Sequence, residues 1–238
     1  MPPAPGMARK IANSEETRRF FGRRKGHRLR AHQAELIETL LPRLALDLRQ
    51  GAEPLPTLFP VPVGEIRLEI GFGGGEHLIA EAVRNPQTGF IGCEPFVNGM
   101  AKALAAIEAQ GLRNVRLHLG DAVPVLSWLP PASLAGIDLL YPDPWPKRRH
   151  WKRRLVQDET IAAMARVLRA GGLFRFASDS ADYAAWTLLR FLRAPDFIWT
   201  AERAEDWRKP WPDFIDTRYH LKAARQSRTP TCLVFRRI

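Results

Sequence analysis

Apolar positions change their spacing along the chain, and each change marks an element. Between residues 32 and 50, Leu36, Ile37, Leu40, Leu41, Leu44 and Leu48 recur at helical spacing, which predicts an amphipathic helix. Pro42 lacks the amide hydrogen that a helix interior uses, so a break or kink is expected there. Residues 51–64 hold four prolines and read as a connector. From residue 66 the pattern becomes strand, turn, helix, and repeats. Short apolar runs at 66–70, 89–93, 114–119, 136–141, 172–178 and 231–236 predict strands. Helices are expected near 76–84, 96–110, 155–170 and 181–193, with Gly171–Gly172 ending the third as a C-cap. Such alternation predicts an α/β fold, a mostly parallel sheet with helices on both faces. Ligands of these sheets bind beyond the carboxyl ends of the strands. Glu69, Glu94, Asp121, Asp143 and Asp179 fall at those ends. Each alone is an ordinary turn or cap residue, but five at one edge form a pattern.

Charge sharpens the picture. A length of 238 residues suits one domain with an extension and is enough to bury a sizeable core. The formal charge is +11, and it is concentrated. Residues 9–30 carry +7 and residues 147–154 carry +6, leaving −2 for everything else. Two dense basic blocks on an otherwise balanced chain suit a phosphate-binding surface, against the plainer reading of solvated charge. Residues 1–31 read as a basic, partly disordered arm, and residues 32–238 as a single domain. Cys93 and Cys232 sit in apolar strand contexts and read as buried, reduced thiols, which fits a cytoplasmic protein. The histidines show no metal-ligand spacing. No apolar run approaches the ~20 residues of a membrane span, and the start of the chain does not read as a signal peptide.

Two segments carry chemistry. The first is Glu69-Ile70-Gly71-Phe72-Gly73-Gly74-Gly75-Glu76, which follows the first strand and opens a helix. Its glycines allow a sharp turn and close backbone approach to a ligand. Glu76 stands where a dinucleotide fingerprint needs a small residue, and its charge would repel a pyrophosphate, so NAD fits poorly. A ligand-free tight turn remains the plain alternative. An acid-rich loop suits a cationic nucleoside such as S-adenosylmethionine. Glu94 could then accept from both ribose hydroxyls, and Asp121, before Ala122, could meet the adenine edge. The second segment runs from Tyr141-Pro142-Asp143-Pro144-Trp145-Pro146-Lys147 through Arg148-Arg149-His150-Trp151-Lys152-Arg153-Arg154. A carboxylate boxed between prolines at a strand end, followed by six cations with no acid among them, points to chemistry on a nucleic acid. Asp143 otherwise reads as a turn residue in a Pro-rich loop, Trp145 as stacking on a base or packing under the loop, and Trp151 as packing.

With these motifs the chain resembles the bacterial tRNA (guanine-N7)-methyltransferases over about residues 18 to 237. The matching residues are Glu69 to Gly73, Gly92-Cys93-Glu94, the segment Pro142 to Lys147 with Arg149-His150 and Lys152-Arg153-Arg154, then Ser178-Asp179 and Thr217-Arg218-Tyr219. The resemblance implies a Rossmann-like class I methyltransferase fold with a seven-stranded, mostly parallel sheet. It implies S-adenosylmethionine as cofactor and no metal. Glu69, Gly71, Gly73, Glu94, Asp121, Ala122 and Asp143 match cofactor-contacting positions, and Asp143 also matches the catalytic one. Lys147, Asp179, Thr217, Arg218, Tyr219 and His220 match the substrate-contacting set. Arg149, His150, Trp151, Lys152, Arg153 and Arg154 match an RNA-contacting run, joined by Arg23, Arg24 and Lys25 of the arm. The implied product is 7-methylguanosine at position 46 of tRNA, made by a monomer or homodimer without an accessory subunit. His220 departs from the family, which usually has Glu there. Either a hydrogen bond from His220 or the carboxylate of Asp216 stands in. Two rivals are an amino-methyltransferase, although only one proline separates Asp143 from Trp145, and a non-catalytic RNA-binding protein on the same fold.

Overall fold

The computed structural model describes residues 22, 24–51, 54–212, 214, 215, 218, 220, 223, 226 and 228–238. Two N-terminal helices, α1 (Ala31–Thr39) and α2 (Leu41–Leu44), are separated at Leu40, with Pro42 in the first turn of the second. Proline is tolerated there because first-turn amides have no intrahelical partner. Then follow β1 (Glu65–Ile70), α3 (Glu76–Arg84), β2 (Thr88–Cys93), α4 (Val97–Gln110), β3 (Val115–His118), α5 (Ala122–Trp128) and β4 (Leu134–Leu140). The chain ends with α6 (Asp158–Val167), β5 (Leu168–Ser178), α7 (Ala181–Phe191), β6 (Phe197–Trp199), α8 (Glu205–Arg208) and β7 (Thr231–Arg237). The seven strands lie in the order β3-β2-β1-β4-β5-β7-β6. The first five are parallel, and β7 runs antiparallel to β5 and β6.

Strand alternation gives the sheet two different faces. On one, Leu68, Ile70, Ile137, Leu139, Phe174, Phe176 and Phe235 pack against α5, α6 and α7. Phe191 of α7 stacks between Phe174 and Phe235 at 4.5 and 4.4 Å. The other face packs α3 and α4 around Leu78, Met100 and Leu104, with α1 outside them. Its centre is a buried row of charge. Glu69, Asp138 and Arg175 are register neighbours across β1, β4 and β5. Arg67 reaches Asp138 at 3.1 Å and Arg175 approaches it at 3.7 Å. Burial opposes charge on Asp138, but the two guanidiniums override it and hold its pKa below the usual carboxylate range.

Three elements, α5, β6 and the four-residue α8, carried no clear periodic signal. β6 is three residues long and half exposed, and α5 is seven residues with Pro124 in its first turn. The boundary between α6 and β5 differs from expectation. The sixth helix stops at Val167 because Leu168 is already extended (φ −74°, ψ 133°) and pairs with Leu134 of β4. Gly171–Gly172 therefore does not cap a helix. Gly171, at φ 77°, lies inside β5 near the register shift between Leu134 and Gly136, where a strand irregularity needs a left-handed residue. At the far edge, Ala45 bridges Leu117, and the Leu46 amide donates to the Leu117 carbonyl at 3.0 Å. Cys93 and Cys232 are free and buried.

Candidate active site

The chain winds outward from β1 to β3 and then returns to β4, so strand order reverses between β1 and β4. A cavity of about 400 Å³ opens at their carboxyl ends, where such a reversal leaves a crevice. Gly71 and Gly73 of the first turn lie in its wall at φ 73° and 58°. A Cβ on Gly71 would meet no atom within 4 Å, so that stretch of backbone is bare toward a ligand. A Cβ on Gly99 would lie 2.2 Å from the Gly73 carbonyl oxygen, so the start of α4 presses directly on the turn.

Glu94 joins these parts. Its carboxylate accepts from the Gly73 amide at 2.7 Å and from the Phe96 amide at 2.8 Å. It is 6% exposed, and burial pushes its pKa up to about 7, although the two amides pull the other way. Asp121 ends the third wall and caps α5 by accepting from the Val123 amide at 3.1 Å, with Ala122 beside it in the lining. Glu69 is different. The alternation that puts Ile70 in the cavity wall turns Glu69 to the opposite face, where His77 Nδ1 lies 2.8 Å from its carboxylate. Burial would lower the His77 pKa, but Glu69 beside it raises it to about 9. Glu69 thus shapes the base of the glycine turn from behind, outside the cavity lining.

Asp143 stands at the cavity mouth, and partial burial of its carboxyl raises its pKa. Its loop is strained. Tyr141 and Trp145 occupy left-handed backbone at φ 51° and 42°, a conformation costing about 1–3 kcal/mol for a side-chain-bearing residue. Both also line the cavity. Trp145 packs under Arg153 at 4.9 Å and edge-on to His150 at 5.8 Å, so its packing within the loop is visible. Tyr141 Oη lies 2.6 Å from His220 Nδ1, which is where the departing His220 goes. The aromatic wall of Tyr141, Phe96 and Tyr183 had no sequence signal beyond its position near strand ends and helix starts.

The basic run does not act as one surface. It forms a 3₁₀ helix, Arg148–Arg153, whose N-cap is Lys147. Lys147, Arg149 and Lys152 are exposed, and His150 is half-buried. Arg153 lines the cavity. Trp151 and Arg154 turn inward, contrary to their place in an RNA-contacting run. Trp151 packs on Trp186 at 5.3 Å, and Arg154 is fully buried. Arg154 is the C-cap of the 3₁₀ turn, where the backbone leaves the helix (φ −59°, ψ 139°), and its guanidinium lies among the rings of Trp151, Tyr183 and Trp186. Of the arm, Arg24 and Lys25 are exposed. The Arg24 carbonyl accepts from the Val97 amide at 2.9 Å, and Asn98 bridges Gly26 and His27, accepting from one and donating to the other at 2.7 Å each. The arm is therefore pinned at the start of α4, and Gly22 joins the cavity lining.

Asp179 pairs with Arg228 at 2.7 Å, and the helix after it is capped by Ser180 instead. Arg218 is exposed. Arg23, Asp216, Thr217 and Tyr219 lie outside the described residues. No described helix is long and apolar enough to cross a membrane, and the described His, Cys, Asp and Glu side chains form no group suited to a metal ion.

The fold has structural counterparts at low identity. A 16S rRNA methyltransferase, KamB, superposes with TM-score 0.55 at 19% identity, over 74% of this chain and 89% of that one. TrmN from Thermus thermophilus does so with TM-score 0.52 at 16% identity, over 79% and 48%. These establish a Rossmann-like class I methyltransferase fold. In sequence, residues 64–233 match the family described as "Putative methyltransferase". The tRNA (guanine-N(7)-)-methyltransferase of Rhodopseudomonas palustris (strain ATCC BAA-98 / CGA009) is 64% identical over 220 residues, 92% of this chain and 83% of the relative. That of Nitrobacter hamburgensis is 65% identical over 219 residues, 92% and 86%. With that identity over nearly its whole length, and with the glycine turn, Glu94, Asp121 and Asp143 gathered on one cavity, the chain belongs to the tRNA (guanine-N7)-methyltransferase family.

Proposed function

We propose that the protein transfers a methyl group from S-adenosylmethionine to N7 of guanosine-46 in tRNA, acting as one catalytic domain from residue 32 behind a basic arm. The observation that carries this is the convergence of Glu94, Asp121 and Asp143 on a cavity that Arg153 also lines, from a 3₁₀ helix on which Arg149 and Lys152 are exposed. The residues fit the cofactor. Glu94 offers a buried acceptor for ribose hydroxyls, Asp121 an acceptor for the adenine edge, and the bare Gly71 backbone leaves room for close approach. When bound, S-adenosylmethionine supplies an electrophilic methyl on a sulfonium.

Guanine N7 has an available lone pair and no proton, so no base is needed to create the nucleophile. The protein's task is alignment, with ~7–11 kcal/mol as the generous limit for ideal positioning. The purine gains positive charge during the reaction. A fixed carboxylate at Asp143 stabilises that charge more in the transition state than in the ground state. The same carboxylate accepting from guanine N1–H and the exocyclic amine would select guanine over adenine. The target base must leave its stack to reach the cavity.

Arg149, Lys152, Arg24 and Lys25 would hold tRNA backbone, which positions without reading sequence. Replacing Arg149 and Lys152 with alanine is expected to raise KM for tRNA and to lower the salt slope of binding by about two. Binding isotherms across a salt series measure it; an unchanged slope would move the RNA surface elsewhere. The reaction is tested by labelled methyl transfer to unmodified tRNA, followed by borohydride reduction and aniline cleavage. One cut in the variable loop supports the proposal. Label without that cut points to another base or atom.

A further inference from the structure

Arg154 closes a basic run yet has no solvent exposure. Its Nε donates to the Pro144 carbonyl at 2.9 Å, one residue beyond Asp143. Its Nη2 donates to Asp182 in the first turn of α7. The guanidinium lies 4.8 Å from the Tyr183 ring, 5.1 Å from Trp186 and 5.2 Å from Trp151. The surrounding backbone is stapled to the same helix. The Val156 amide donates to Tyr183 Oη at 3.3 Å, and Trp186 Nε1 donates to the Val156 carbonyl at 2.7 Å. Tyr183 in turn forms part of the cavity wall.

The Asp143 loop has left-handed side-chain-bearing residues near both ends, Tyr141 and Trp145. Such conformations persist only where surrounding contacts over-determine them. The Arg154–Pro144 bond crosses from the interior to the centre of this loop. A rigid guanidinium can bond a carbonyl and a carboxylate at once, in fixed directions, while its flat faces pack on rings. An ammonium has neither the fork nor the plane.

We propose that Arg154 is a positioning residue that locks the Asp143 loop through the Pro144 carbonyl, with Asp182 as its counter-charge, and that it makes no contact with RNA. The inference rests on the proposed role of Asp143. Its consequence is a division of labour within the run: Arg149 and Lys152 face phosphate, and Arg154 faces the loop that carries the carboxylate.

The experiment measures kcat, KM for tRNA, the salt slope of tRNA binding and S-adenosylmethionine affinity in Arg154→Lys, Arg154→Met and Asp182→Asn, with wild type and Asp143→Asn alongside. Misplacing the loop by a fraction of an ångström to an ångström is expected to cost roughly 10- to 100-fold in kcat for both Arg154 variants. KM for tRNA and the salt slope should stay at wild-type values, even in Arg154→Met, which deletes a charge. A slope reduced by about one in Arg154→Met would mean a phosphate contact and overturn the proposal. Wild-type kcat in Arg154→Lys would also overturn it. If Arg154→Met does not fold, Asp182→Asn decides, since Asp182 is about half exposed (53%) and asparagine keeps its size and an acceptor oxygen for the guanidinium. A fall in kcat at constant KM supports the proposal, and full activity refutes it. Failure of the underlying reading would look different, with Asp143→Asn fully active or the wild type inactive on tRNA.

Discussion

Asp143→Asn is expected to lower kcat by about 10²–10³-fold, the range for removing one preorganised electrostatic group from a transition state. Affinity for S-adenosylmethionine should change only slightly. Asparagine has the same shape and fits the same loop, so the strained backbone at Tyr141 and Trp145 and the Arg154 bond to Pro144 are retained. What disappears is a negative charge at the cavity mouth. That charge matters most when the purine becomes cationic, so the loss falls on kcat and not on binding. Single-turnover methylation with saturating cofactor measures the chemical step directly. Unchanged turnover would remove Asp143 from the mechanism.

The second large effect belongs to Glu94. Glu94→Gln is expected to weaken S-adenosylmethionine binding by roughly two orders of magnitude, since charge-assisted hydrogen bonds contribute about 1.5–3 kcal/mol each. One carboxylate serves the Gly73 and Phe96 amides and, as proposed, two ribose hydroxyls. A glutamine has one oxygen to accept with, and its amide would face donors. The wild-type pKa of about 7 adds a pH signature. Burial raises this carboxyl above its unfolded value, so the folded protein holds the proton more tightly as pH falls. A ligand donating hydrogen bonds to the ionised form must displace that proton below about pH 7. Cofactor affinity should therefore weaken as pH drops from 7 toward 5.5, by up to about tenfold per unit. Glu94→Gln should show a flat profile over that window. Calorimetric titration at several pH values checks both; an equally steep profile in the variant would assign the dependence to another group.

The sheet and the glycine turn were legible because they are written in local patterns. Six of the seven strands announce themselves as apolar runs, and the acids after them line up at one edge. What stayed hidden depended on tertiary contacts. Glu69 looks from sequence like its neighbours at strand ends, yet strand alternation and His77 draw it to the other face. Arg154 is chemically identical to Arg149 in a string of cations, and only its place at the exit from the 3₁₀ turn, against the aromatic side of α7, separates them. The glycines at 171 and 172 carry a helix-stop signal that β5 uses for a strand irregularity. Tyr141 gains its meaning from His220, nearly eighty residues away.

The bridge between Ala45 and Leu117 has a consequence for self-association. β3 is an outer strand of the sheet, and an uncovered outer strand offers its amides and carbonyls to another molecule. Residues 45 and 46 occupy part of that edge, so the segment that follows α2 also acts as a stopper. Cutting the chain after residue 48 to remove the arm would uncork the edge and is expected to give soluble aggregates. Cutting before residue 31 should leave a monodisperse protein. Light scattering on the two truncations would tell them apart, and equal behaviour would show that the plug is dispensable. Loss of tRNA binding is therefore best assigned to the arm from the shorter deletion, where clumping does not masquerade as lost affinity.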